Sequence, residues 1–247
     1  MQLRPSCQWW RGRQVGPKRS GRFPRYSPVA ERALLVEFGE TINDGIHDKV
    51  VQLDTALAAV PFGGFLEAVP AYASILVSFD PTVTDHRSVE IKLAALISAG
   101  EGDRRPHGIR EVEVCYDGDL APDLDRLADA SGLTPEEVVA AHLSGDYSVF
   151  MYGFAPGYAY LAGVPQPIQL PRKEVAVRGV PAGSVLIAGQ QCLVTTLSMP
   201  TGWWIIGRSP TRVLDDASKE HPFLFDVGDR VRFRRLSRAQ YDAVRAP

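Results

Sequence analysis

Apolar and polar positions change their period along this chain, and the changes mark its elements. Ala33–Phe38 is a short apolar run of strand length. Ile46–Val60 places Val50, Leu53, Leu57 and Val60 near helical spacing. Phe65–Val69 and Ser74–Phe79 read as strands, and Val89–Ile97, with Ile91, Leu93, Leu96 and Ile97, as a second helix. The resulting β-α-β-β-α order predicts a split, ferredoxin-like α/β unit. Asp44, His47 and Asp80 in this unit read as turn, cap and surface residues. The polar, Gly- and Pro-bearing stretch Ala99–Gly108 then marks a domain boundary. Beyond it, Val112–Tyr116 reads as a strand and Asp123–Ala130 as a helix with Leu124, Leu127 and Ala128 on one face. Thr134-Pro135-Glu136-Glu137 carries a cap, a first-turn proline and a capping-box glutamate, so a second helix starts there and stops at Ser144-Gly145. Strand-like runs at Tyr147–Tyr152, Val185–Ile187, Leu193–Leu197 and Trp203–Ile206 alternate with turns at Pro156-Gly157, Pro181-Ala182-Gly183 and Pro200-Thr201-Gly202. That pattern predicts a β-barrel, and the fold class is α+β.

Composition narrows the function classes. The 247 residues are 45% apolar and 23% charged, ordinary values for a globular protein. No run approaches the roughly 18 apolar residues of a membrane span. Three scattered cysteines (Cys7, Cys115, Cys192) point to reduced thiols and a cytoplasmic setting, and five histidines without i, i+4 pairing predict no metal site. Residues 1–28 hold seven bases and no acid and are expected to be a disordered extension, followed by domains at 29–99 and 109–240. The rest of the chain holds twenty bases against twenty-nine acids, so neither nucleic acid nor a membrane is an expected partner.

The chemistry concentrates between Val149 and Pro210. That stretch carries Arg172, Lys173, Arg178 and Arg208 against Glu174 alone, while the remaining body is strongly acidic. A basic, Gly-rich segment in an acidic protein suggests a small anionic ligand, with Arg172 and Arg208 as bidentate candidates. Backbone N–H groups around Gly153–Gly157 and Gly183-Ser184 are candidate anion nests. Phe154, Pro156, Gly157 and Tyr158 form a candidate pocket wall, and Gln191 offers an amide. Tyr160, Trp203 and Trp204 read chiefly as core packing. Ser184 has no base beside it in sequence. His142, in the last helical turn, is placed where carbonyl ends favour a protonated imidazole. No Walker motif, G-x-S-x-G elbow or Ser-His-Asp order is present.

Three ordered segments carry a family resemblance. Gly153-Phe154-Ala155-Pro156-Gly157-Tyr158-Ala159-Tyr160-Leu161-Ala162-Gly163 resembles the GFxPGFxYLxG signature of a family that joins allophanate hydrolase subunit 1 with the B-type subunit of 5-oxoprolinase. Val180–Val185 and Gly202–Pro210 resemble two further signatures. The resemblance spans about residues 30–235. It implies a cyclophilin-like barrel as the second domain and a partner of the C type, also called subunit 2. It further implies ATP, with or without magnesium and with no covalently bound cofactor, and a small anionic or lactam substrate. The implied reaction is ATP-dependent opening of 5-oxoproline, in which phosphorylating the lactam oxygen turns a poor electrophile into an attackable one. His142 and Arg208 would be catalytic, and Phe154, Pro156, Gly157, Tyr158, Arg172, Gly183, Ser184 and Gln191 substrate-binding. Two alternatives share the fold: a partner subunit of a biotin-dependent carboxyltransferase, and a non-catalytic kinase-inhibitor-like module. Prolyl isomerisation rests on fold analogy alone. The chain departs from the family at Ala176-Val177, where Pro-Arg is usual, and at Cys192–Thr196, where a Gly-Tyr-Pro turn is usual.

Overall fold

The computed structural model describes residues 22–100, 108–215, 217–218 and 220–245. Most of the basic extension and of the expected boundary at Ala99–Gly108 lies outside these residues.

The first unit is a four-stranded antiparallel sheet of order β1-β2-β4-β3, with β1 Arg25–Val29, β2 Ala33–Glu37, β3 Phe65–Pro70 and β4 Ser74–Phe79. Two helices, α1 Asp44–Ala59 and α2 His86–Ala99, cover it. Leu34 and Val36 of β2 pair with Val77 and Ile75 of β4. These four residues form one core with Val50, Leu53 and Leu57 of α1 and Val89 and Leu93 of α2. Both helices begin earlier than their apolar spacing indicates. The Asn43 side chain accepts from the Ile46 N–H and the Asp85 side chain from the Ser88 N–H, so polar first turns are recruited by their caps. Residues 25–28, expected to be part of a disordered extension, instead belong to β1, which pairs with β2 from Arg25↔Glu37 to Val29↔Ala33. The strand covers what would be a bare edge beside β2. Its Pro28 is tolerated because β1 is itself an edge strand.

The second unit is a closed seven-stranded barrel, β10-β7-β6-β13-β5-β12-β9. Its strands are β5 Ile109–Cys115, β6 Tyr147–Tyr152, β7 Ala159–Ala162, β9 Ser184–Ala188, β10 Gln191–Val194, β12 Trp204–Arg208 and β13 Arg230–Leu236. Two helices, α3 Leu124–Ser131 and α4 Pro135–Ser144, pack beside it, and α5 Arg238–Arg245 follows β13. β8 Val177–Val180 and β11 Met199–Thr201 form a separate two-stranded sheet. The capping box at Thr134 and Glu137 is present as expected. Strand β13, invisible as an apolar run, closes the barrel in parallel with β5. Its Val231 and Phe233 face the core, while Arg234 pairs with Glu111 and Glu113 of β5. The expected strand at Leu193–Leu197 ends at Val194. The Thr195 N–H still donates to the Ser184 carbonyl at 2.9 Å, but regular pairing stops there because its hydroxyl accepts from the Ser184 N–H at 2.8 Å and donates to the Pro181 carbonyl at 2.9 Å.

On the side of the barrel formed by β7, β10, β9 and β12, side chains alternate between two apolar environments. Leu161, Val185, Ile187, Cys192, Val194 and Ile206 fill the interior. Leu186, Ala188, Leu193 and Ile205 face outward and form a second cluster with Tyr158, Val180 and Trp203. Segment 171–175 is fastened to this outer wall by a buried ion pair. Lys173 Nζ contacts Asp123 Oδ2, with side chains only 5% and 7% exposed. The same Asp123 oxygen accepts from the Ile205 N–H at 2.9 Å, and the Lys173 N–H donates to the Gly202 carbonyl at 2.7 Å.

His142 lies inside the barrel unit, fully buried. Its Nδ1 is 2.8 Å from the Tyr116 hydroxyl, its Nε2 is 3.6 Å from Cys192 Sγ, and its carbonyl accepts from the Tyr147 hydroxyl. Burial holds its pKa at about 3, which corrects the protonated imidazole expected from its place in the last helical turn. Loss of hydration outweighs the half-charge of the helix end.

Removing one member of the buried pair should be costly. Asp123→Ala strands the Lys173 ammonium and is expected to lower the unfolding free energy in urea titrations by about 3–5 kcal/mol, with partial recovery in Asp123→Ala/Lys173→Met. His142 is neutral when folded and protonates below about pH 6.5 when unfolded. Its contribution is therefore complete above that pH and lost on acidification toward pH 3, at up to about 1.4 kcal/mol per pH unit. Urea titrations across that window should show a shallower pH slope for His142→Gln than for the wild type.

Candidate functional site

The expected ligand residues fall into separate places. Phe154, Tyr158 and Arg172 come together at a cleft of about 220 Å3 on the outer wall of the barrel. Its floor is Leu186 and Leu193, and its sides are Tyr160, Trp203 and the segment Met199–Gly202. The aromatic rings are mutually packed: Phe154 and Tyr158 have centroids 5.7 Å apart, and Tyr160 and Trp203 5.9 Å. The Arg172 guanidinium lies 5.5 Å from the Trp203 ring centroid, a cation–π placement that leaves its N–H fork available. Burial raises the Tyr160 phenol, opposed by Arg172, and burial followed by Tyr160 raises that of Tyr158. Both rings therefore present neutral hydroxyls at neutral pH.

Local structure explains how Arg172 is held. On one side, the Pro171 carbonyl accepts from the Trp204 indole N–H at 2.8 Å. On the other, Lys173 is bonded to Gly202 and Asp123. The exposed arginine is thus carried on a backbone fixed at both flanking residues. Opposite it, Phe154 is 72% exposed and sits at φ 71°, a left-handed conformation uncommon for an aromatic residue. The tight Gly153–Tyr158 turn requires it, since the Gly153 N–H donates to the Tyr158 carbonyl and the Ala155 N–H to the Gly153 carbonyl. Such strain, exposing a ring beside a cleft, makes Phe154 a candidate for a functional role. Pro156 and Gly157 shape this turn: Thr196 donates to the Pro156 carbonyl at 2.6 Å. A side chain at Gly157 would meet Thr196 at 2.9 Å.

The remaining expected residues lie elsewhere. Gly183 and Ser184 do not form an anion nest. The Gly183 N–H donates to the Thr195 carbonyl at 2.6 Å and the Ser184 N–H to the Thr195 hydroxyl, so both donors are spent internally. Gly183, at φ 80°, is a packing requirement, because an added Cβ would lie 2.5 Å from the Ser209 carbonyl. Ser184 is fully buried and its hydroxyl donates to Pro181. Arg208 does not line the cleft with Arg172. It pairs across β9 with Ser184, lies in the field of Asp119, and has a buried Nε without a hydrogen-bond partner. Gln191 starts β10 and approaches the Tyr72 phenol near the junction of the two units. There His47, 4% exposed, stacks on Phe150 of β6 with centroids 3.9 Å apart and rings 5° from parallel. This corrects the reading of His47 as a surface residue. His142, sealed in the core, has no access to the cleft.

Sequence reasoning missed Leu186, Leu193, Met199 and Thr201 as cleft residues and assigned Tyr160 and Trp203 to the core. The available signal was the run Ser184–Ala188, apolar at both parities, which requires cover on the outer as well as the inner face.

Comparison with known proteins agrees with this architecture. The model of the family described as carboxyltransferase domain, subdomain C and D, matches residues 24–225. The B-type subunit of 5-oxoprolinase from Bacillus subtilis (strain 168) is 37% identical over 231 residues, covering 88% of this chain and 95% of the relative. The crystal structure of TTHA0988 superposes with a TM-score of 0.73 at 34% identity. The match covers 83% of this chain but only 40% of that longer one. Kluyveromyces lactis urea carboxylase shares the fold at a TM-score of 0.70 and 18% identity, over 88% of this chain and 22% of its own. With a matching model over most of its length and a relative of this identity, the chain belongs to the carboxyltransferase domain, subdomain C and D, family.

Proposed function

We propose that this chain is the substrate-holding, B-type subunit of a 5-oxoprolinase, an ATP-dependent lactam hydrolase that works with a C-type partner. One observation carries the reading. The outer-wall cleft offers aromatic and aliphatic faces for a small ring, with a single fixed guanidinium, Arg172, at its edge for a carboxylate. 5-Oxoproline is such a ring acid, and the relatives named as 5-oxoprolinase subunits of the B type support it as substrate.

The cleft that would hold the lactam leaves no room for ATP beside it. The cleft volume of about 220 Å3 is below the ~300–1,000 Å3 of usual ligand pockets. In the larger groove beside Gly183 and Ser209, the Ser209 N–H already donates to Gly183 and the Thr211 N–H to the Ser209 hydroxyl. Its Arg212 is paired with Asp215. In this reading the partner holds the nucleotide, and this chain binds and orients the lactam. Buried free thiols at Cys115 and Cys192 accord with a reducing cytoplasm.

Steady-state ATP turnover by the assembled complex tests the assignment. 5-Oxoproline should stimulate hydrolysis, and Arg172→Ala should raise the KM for 5-oxoproline by at least about tenfold, the scale of a charge-assisted pair, while leaving the KM for ATP unchanged. An assembled complex that 5-oxoproline does not stimulate would overturn the substrate and favour carboxyl transfer on this fold.

A further inference from the structure

We infer that the rim of the outer-wall cleft is the surface on which the C-type partner docks, and that the partner meets it with apolar side chains ringed by carboxylates. The inference rests on the proposed two-subunit function. Three exposed apolar side chains belong to segments that frame the cleft. Phe154 is 72% exposed, Val175 78% and Leu197 43%. Val177 of β8, 42% exposed, pairs with Thr201, which itself lines the cleft. Leu197 lies between the cleft residues Thr195 and Met199, and Val175 follows the fixed Arg172–Lys173 pair. Exposed apolar groups gathered round one opening mark an interaction surface where singly scattered ones do not.

The β8–β11 sheet adds to this. A two-stranded ribbon is marginal by itself and presents unpaired edges, a form that a second chain stabilises. Charge then selects the occupant. Beyond Arg172, which faces the cleft's own ligand, Arg178 is exposed and not ion-paired among the described residues, and Glu174 is the only acid between Pro171 and Gly202. Two copies of this chain meeting through the rim would oppose arginine to arginine, so the surface disfavours self-association and fits an acidic partner. Docking there would also close over a cleft that is open to solvent in this chain alone.

The test is titration calorimetry of the full chain against the purified C-type partner, with sedimentation of the chain alone. Val175→Glu/Leu197→Glu and Arg178→Glu should each weaken the complex by at least about tenfold. Wild-type affinity should fall as salt is raised. Leu66→Glu on β3, an exposed apolar position in the other unit, should leave affinity unchanged. All these side chains are exposed, so melting temperatures should match the wild type and separate docking from folding. Wild-type affinity in Val175→Glu/Leu197→Glu would overturn the surface while leaving the two-subunit reading intact. A wild-type chain that does not bind the C-type partner would overturn both. A dimer of this chain alone, lost in Val175→Glu/Leu197→Glu, would make the rim a self-interface and overturn the acidic partner.

Discussion

The buried pairing of Lys173 with Asp123 is the contact on which the organised outer wall depends. It joins segments that are remote in sequence: the start of α3, the loop carrying Arg172, and the Ile205 backbone of β12. Neither charge is tolerable alone at such burial, so the three segments are either all in register or collectively penalised. The pair sits next to the ligand candidate without belonging to it. Arg172 owes its position to a neighbour whose charge is already neutralised, which keeps the guanidinium free.

The two units communicate through a similarly compact contact. The His47–Phe150 stack and the nearby Tyr72 ring place α1 and the β3–β4 turn against β6. Strand β6 leads directly from Phe150 to the Gly153–Tyr158 turn and its strained Phe154. Arg230 of β13 adds a bond to Ser148 at 2.8 Å and an ion pair with Asp146 at 3.2 Å at the same end. Among the described residues the first unit offers no charged group to the cleft, yet it braces the strand from which the cleft's exposed ring projects.

Much of this fold was legible in the sequence. The apolar spacing of Val50, Leu53 and Leu57, the box at Thr134 and Glu137, and the run Tyr147–Tyr152 each express one local rule that tertiary structure left standing. Other elements obeyed rules that a single segment does not reveal. β13 is masked by four arginines, and the roles of three are clear only beside acids of other segments: Arg230 with Asp146, Arg234 with Glu111 and Glu113, and Arg235 with Asp117 and Glu136. β1 lies in a basic stretch whose order depends on an edge that β2 leaves open. For the site, Phe154, Tyr158 and Arg172 were anticipated and do converge. Ser184, Gly183 and His142 carry equally suggestive neighbours, but their polar groups are consumed by internal hydrogen bonds, and only the three-dimensional accounting of donors separates the two sets.

The alternation along β9 and β10 also divides the chain's freedom to change. Val185, Ile187, Cys192 and Val194 answer to the filled interior, and Leu186 and Leu193 answer to whatever lies on the wall outside. Two independent messages are interleaved at a period of two in the same few residues. Selection can rewrite the outer message, and with it the guest, without disturbing the inner one. A single barrel architecture can in this way persist while the wall around its cleft is rebuilt.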